Sequence, residues 1–340
     1  MMPRRGAAAR VSRIALLTCL AVGLIICVST FLHFLAQGFV AWDAPTYLAA
    51  GERLNAGHDL YALVASDRPV LLNPPYWTVP LLSPPPIAVL WRPLALFGNA
   101  GMLVWWLACM ASIGATVTAM SLRSPWIAGP ALLVLSVPLA WELAAANVNG
   151  LLLGGFVGAW LLARTGHDRA AGILIGLMAS VKVWPAILLI WFIAQGRRSA
   201  LAAFVLVIAA VGLASLLFAG LPANLEYLRI GAAIRPSPNS LAGVLLSVGL
   251  DVPWIGYALG LLAVVAMVRY RRYQEATYAL GIVTIVAASP VIYLNGFALL
   301  FTALAPFVWP LRGRRWRWQR HGRPRGQRAD VADGDLPARA

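Results

Sequence analysis

Residues 170–195 read AAGILIGLMASVKVWPAILLIWFIAQ. The run is apolar almost throughout, and its only charge is Lys182. Arg164 and Arg169 stand before it, Arg197 and Arg198 after it. One straight helix through the run would cross a bilayer and put an arginine pair on each side. Basic residues flanking membrane spans favour the cytoplasmic side. Two half-helices meeting near Lys182 would keep both pairs there. Pro185 cannot donate a helix hydrogen bond, so a break at this point is physically reasonable. Non-helical backbone at membrane depth lines a cavity or is buried in protein rather than facing lipid.

The rest of the chain has the same character. Of 340 residues, 61% are hydrophobic and 11% charged, against about 25% charged in soluble domains. A chain with so little polar surface fits a bundle of membrane helices. At roughly 20 residues per crossing, the length allows about nine to eleven spans. The predicted fold class is therefore an all-α polytopic membrane protein. Apolar segments lie at about 14–36, 86–97, 101–120, 126–141, 148–163, 199–219, 253–268, 275–290 and 296–310. Segment 86–97 is short for a crossing. If it crosses, Arg123 falls outside; if it is a partial helix, Arg123 falls inside.

Charge sets the expected topology. The net charge is +15, and of the 27 cationic residues all but Lys182 are arginine. Thirteen arginines lie in the tails, at 1–13 and 312–340. They flank apolar segments and accompany no recognition motif, so the basic balance is read as topology and not as nucleic-acid binding. Residues 1–13 are expected to be a cytoplasmic tail, 14–311 the transmembrane domain, and 312–340 a cytoplasmic, disordered tail. Ile14 to Ala36 is longer than a signal-peptide core and reads as a retained first helix. Residues 37–83 form an extracytoplasmic loop, in which Pro45 to Ala56 can make a surface helix. The prolines at 74, 75, 80, 84, 85 and 86 predict a stiff re-entry. Cys19, Cys27 and Cys109 sit in apolar runs, and neither they nor the four scattered histidines make a metal-binding pattern. No cofactor is implied.

Several polar residues interrupt the apolar pattern. Asp43, before Ala44-Pro45, suits a helix N-cap. It also suits a general base at the membrane boundary. Lys182 is a compact cation in an apolar run, suited to phosphate or to snorkelling towards the interface. Asn147-Val148-Asn149-Gly150 reads as a turn with cap residues or as contacts to a sugar. Glu142 is a second carboxylate, at a span end where solvent can reach it. Arg229, Arg235 and Asn239 share the expected outer side with Asp43 and suit phosphate or hydroxyls, or a solvated loop. Tyr293 and Asn295 put a phenol and an amide at a span boundary, where tyrosine is also a common anchor. The bundle alone would equally suit a transporter or a non-catalytic, flippase-like membrane protein.

These segments, in their order, resemble glycosyltransferase family 87, the membrane mannosyltransferases that use polyprenyl-phosphate-mannose. The resemblance begins with Asp43-Ala-Pro-Thr-Tyr47-Leu-Ala-Ala-Gly51 and Gly57-His-Asp-Leu-Tyr61. It continues through Pro84-Pro85-Pro86 with Pro93-Leu94, through Asn147-Val-Asn149, and through Ala171-Gly172-Ile-Leu-Ile-Gly176 with Lys182 and Pro185. Asn239-Ser240-Leu241-Ala-Gly243 and Ser289-Pro290 complete it. Tyr293 and Asn295 stand where the family usually continues to Trp and His. The resemblance implies a GT-C-like bundle with an extracytoplasmic site in the cell membrane. It implies a polyprenyl-phosphate-sugar donor and a glycolipid or polysaccharide acceptor. Asp43 would be the base, Lys182 and Arg235 would hold the donor phosphate, and no metal would be needed. Tyr47, Asn147, Asn149, Asn239, Tyr293 and Asn295 would contact substrate.

Overall fold

A computed structural model of the protein describes residues 4–63, 70–71 and 78–311. The tail at 312–340, with Asp67, Pro74 and Pro75 of the first loop, lies outside these residues. The chain is an all-α polytopic membrane protein. Its helices are α1 (Arg4–Ala36), α2 (Ala44–Asn55), α3 (Pro85–Ala95), α4 (Asn99–Arg123), α5 (Pro125–Ala145), α6 (Asn149–Arg164) and α7 (Asp168–Val181). A 3-10 turn (Trp184–Ile187) leads to α8 (Leu188–Ala194), α9 (Arg198–Ala232), α10 (Leu241–Ser247), α11 (Ile255–Arg269) and α12 (Gln274–Ala288). A 3-10 helix (Leu294–Leu304) and α13 (Ala305–Val308) follow. The one strand pairing among the described residues joins β1 (Val70–Leu71) to β2 (Thr78–Val79), antiparallel.

Among the described residues, four stretches are long and apolar enough to cross a membrane alone: Ile14–Ala36, Asn99–Arg123, Pro125–Ala145 and Arg198–Ala232. Their outer faces carry bare aliphatic side chains. Ile25 of α1 is 65% exposed and Leu217 of α9 is 70% exposed. Lipid makes such surfaces favourable; water would not.

Contacts along the helices define two ends. α1 and α5 run in the same direction. Gly129 of α5 packs on Leu16 and Leu20 early in α1, and Trp141 meets Phe34 near its end, with ring centroids 5.1 Å apart. α6 and α7 are antiparallel, with Gly155 against Met178 and Gly158 against Leu174. α7 then touches α9 backbone to backbone: a Cβ on Gly172 would lie 2.1 Å from the Ala200 carbonyl oxygen.

The helical run breaks at Lys182, whose backbone is extended. Beyond the 3-10 turn the chain descends through α8. Arg197 thereby returns to the start of α7, where its guanidinium pairs with Asp168. The Gln195 side chain reaches the Arg271 carbonyl at 2.9 Å, and Arg164 reaches that of Pro310 at 2.8 Å. The structure therefore has the two half-helices, with both arginine pairs at one end.

Segment 86–97 does not cross. α3 has 11 residues, about 16 Å of helix. Its Trp91 packs on Tyr47 of α2 and Trp105 of α4, and its Arg92 exchanges hydrogen bonds with Asn55. α3 and the start of α4 thus share one end of the bundle. Arg123, at the far end of α4, joins Arg164, Arg169, Arg197, Arg198, Arg269, Arg271 and Arg272 at the other. Asp43, Glu52, Asp59, Glu226 and Asp251 lie at the α2–α3 end.

Two elements depart from expectation. The stretch 221–240, outside the apolar segments read at 199–219 and 253–268, is helical up to Ala232. Gly220, with φ +82, bends α9 there, and Pro222 restarts the helix in the first turn where proline is tolerated. The last span is mostly 3-10 rather than α. At about 2.0 Å per residue, Leu294–Val308 reaches roughly 28 Å, against about 22 Å as an α-helix. The stretched geometry lets 15 residues run the depth of a bilayer core. At its end, the Trp309 carbonyl accepts from Trp160 Nε1 at 2.9 Å.

Candidate active site

The C-terminus of α5 organises the site. The last carbonyls of a helix have no partner within it. Here Leu143 O accepts from Trp106 Nε1 at 2.6 Å, and Ala144 O from the Ala41 backbone at 2.6 Å. Ala145 O accepts from the Asp43 backbone at 3.0 Å, and Ala146 O from Trp105 Nε1 at 2.8 Å. Ala146 itself is left-handed, with φ +54, as a helix stop requires. The chain leaving α1 is thus stitched to α5, and Asp43 is set beside the 146–149 turn.

Asp43 holds the N-cap position of α2, but its side chain makes no capping hydrogen bond. Asn147 Nδ2 donates instead to Asp43 Oδ2, at 2.8 Å. Asn147 Oδ1 accepts from the Asn149 backbone at 3.0 Å, closing an Asx turn that opens α6. Lys182 Nζ donates to Asn149 Oδ1 at 2.6 Å. Asn149 Nδ2 faces Glu142 Oε2 at 3.4 Å, and Asn295 Nδ2 donates to the same oxygen at 2.9 Å. One relay therefore joins Asp43, Asn147, Asn149, Lys182, Glu142 and Asn295, drawn from five separate parts of the chain.

This relay borders a cavity of about 250 Å³, near the lower end of small-ligand sites. Asp43, Tyr47, Asn147, Asn149, Lys182, Tyr293 and Asn295 all line it. Pro80 to Pro84, Trp184 and Tyr227 also line it, with Ile285, Val286 and Leu299 as apolar lining. Ser237 ties down Ile292, another lining residue: its hydroxyl donates to Ile292 O at 2.7 Å and accepts from Ile292 N at 2.9 Å. Tyr47 is buried against Trp91 and Trp105. Burial, and then the nearby Asp43 carboxylate, push its phenol above the ordinary tyrosine range. It stays neutral and can donate a hydrogen bond.

Seven of the nine residues that the family resemblance assigned to the site thus meet at one cavity. Arg235 and Asn239 do not line it. Both are exposed in the 233–240 connection, although Ile234, next to Arg235, does line it. Arg229 is exposed on α9 and pairs with Glu226 at 3.3 Å. Glu142 was expected at a solvated span end, yet it is fully buried. Its Oε1 has no hydrogen-bond partner among the described residues. An unsatisfied buried oxygen costs about 1–3 kcal/mol. The available sequence signal was that Glu142 is the only charge in α5.

The model of glycosyltransferase family 87 matches residues 82–294, more than half of the chain and most of the cavity wall. The chain belongs to glycosyltransferase family 87. This membrane glycosyltransferase carries Asn147, Asn149 and Lys182 inside the matched region, with Asp43 before it and Asn295 just after it. No curated protein and no solved structure matches the chain. Membership in a glycosyltransferase family sets aside the transporter and scaffold readings left open by composition.

Proposed function

We propose that this family 87 enzyme transfers a hexose, mannose by the resemblance, from a polyprenyl-phosphate-sugar to a glycolipid or polysaccharide. The observation that carries this reading is the joint placement of the Asp43 carboxylate and the Lys182 ammonium on one cavity. A base and a fixed cation are the two groups this displacement needs. The acceptor hydroxyl gives its proton to Asp43 as its oxygen bonds to the anomeric carbon. The bond from that carbon to the phosphate oxygen breaks, its electron pair leaves with the lipid phosphate, and configuration inverts. Lys182 offsets the charge that develops on the phosphate, the role of preorganised electrostatics at a transition state. A single phosphate is within reach of one ammonium, so the reading calls for no metal.

Asn149, Asn295 and Tyr293 offer hydrogen bonds to sugar hydroxyls, with Tyr47 and Asn147 supporting Asp43. Arg235 and Asn239 are assigned to the outer rim, where Arg235 can meet the phosphate from above. The eight arginines at the far end of the bundle support a cytoplasmic assignment for that end and for both termini. The cavity then opens on the extracytoplasmic face of the cell membrane, in a GT-C-type arrangement.

The test is a transfer assay with purified, detergent-solubilised protein, radiolabelled polyprenyl-phosphate-mannose and an extract of envelope glycolipids. Label should pass to a glycolipid or polysaccharide product. Transfer from a sugar nucleotide, with none from the lipid donor, would contradict the reading.

A further inference from the structure

Glu142 takes no part in the displacement above, yet its burial and its two amide partners set it apart from every other acid among the described residues. We propose that Glu142 is a positioning residue. It fixes which atoms of Asn149 and Asn295 face outward, and through Asn149 it holds the Lys182 ammonium against the cavity.

A lysine ammonium only donates. Asn149 meets it with Oδ1, at 2.6 Å. The amide nitrogen of Asn149 then points the other way and needs an acceptor. Glu142 Oε2 is that acceptor, and it receives Asn295 Nδ2 as well. Asn295 lines the cavity, and with Nδ2 turned to Glu142 its Oδ1 is left as an acceptor suited to a sugar hydroxyl. Without an acceptor at 142, either amide can turn over. A reversed Asn149 would present its NH2 group to the ammonium, donor against donor. Packing alone does not account for the acid. Glu142 lies in the last turn of α5, where the helix dipole disfavours a negative charge. It is also buried, with one oxygen unpartnered among the described residues.

Lys182 is the sole lysine of the sequence, so reductive methylation with formaldehyde and cyanoborohydride reports on it directly by peptide mass spectrometry. Three forms of the full chain are compared: wild type, Glu142→Gln and Glu142→Met. Glutamine keeps an acceptor oxygen in reach of both amides; methionine keeps the volume and removes the acceptor. Glu142→Met should label at Lys182 several-fold faster and raise the donor KM about tenfold, with a Tm at or above wild type. Glu142→Gln should stay within about threefold of wild type in both. Wild-type labelling and KM in Glu142→Met would overturn the proposal. Equal impairment of the two variants would also overturn it, because charge rather than an acceptor would then be what matters. If Glu142→Met does not fold, Glu142→Ser, too short to reach either amide, carries the same expectation. The KM arm rests on the donor proposed above, whereas the labelling arm does not. Altered labelling in a protein that uses no polyprenyl-phosphate-sugar would overturn the donor and leave the role of Glu142 standing.

Discussion

Asp43→Asn is expected to lower sugar transfer by about 10²–10⁴-fold, the usual contribution of a positioned base, while donor affinity stays within a few-fold of wild type. Asparagine has the shape of aspartate and keeps an oxygen for Asn147 Nδ2, the group that now donates to Asp43 Oδ2 at 2.8 Å. The backbone hydrogen bond from residue 43 to Ala145 is untouched. The amide is neutral and has lost the ability to take a proton from the acceptor hydroxyl. Initial rates at saturating donor, with equilibrium binding of a donor analogue, separate the two effects. If Asp43→Asn transfers at the wild-type rate, Asp43 is not the base.

Lys182→Met is expected to act on the donor. Truncating one member of a desolvated, hydrogen-bonded charge pair costs about 2–5 kcal/mol, roughly 30-fold to several thousand-fold in affinity. Methionine keeps most of the aliphatic stem, so the packing beside Val181 and Trp184 survives. The loss should scale with the phosphate: a lipid alcohol without phosphate should bind both proteins alike. Lys182→Arg should recover little. A guanidinium is a broad planar fork, and the present contact is a single 2.6 Å hydrogen bond to Asn149. Unchanged donor affinity in Lys182→Met would remove the phosphate role.

The parts of the site legible in the sequence were those with a local signature. Lys182 and Pro185 break an apolar run, and a break there needs no knowledge of the rest of the fold. Asp43 before Ala44-Pro45 marks a helix start whether or not its side chain caps it. The structure keeps Asp43 at that start and gives its side chain to Asn147 rather than to a capping hydrogen bond. Asn147 and Asn149 proved to be both turn formers and network members, because an Asx turn uses only one end of an asparagine side chain.

What was not legible depended on distant partners. The burial of Glu142 is decided by Asn295, 153 residues later, and by the 3-10 helix that carries it. Hydrophobic pattern cannot separate a 3-10 span from an α span over 15 residues, since both read as continuous apolar sequence. The partial depth of α3 was half legible: the segment is short for a crossing, but its flanking charges allowed either path, and its contacts with Tyr47, Trp105 and Asn55 place it at one end. Arg235 and Asn239 were grouped with the site because they shared its expected side. A shared side does not bring a side chain to a cavity.

Asp43 and Lys182 line one cavity, proposed above to take the lipid-borne sugar between them. A structure of the protein with a non-transferable polyprenyl-phosphonate sugar analogue tests this most directly. The phosphonate is expected within hydrogen-bond distance of Lys182 Nζ, with the anomeric carbon between it and Asp43 and the lipid chain leaving towards the bilayer. An analogue bound with its phosphonate away from Lys182, or with Asp43 remote from the anomeric carbon, would contradict it.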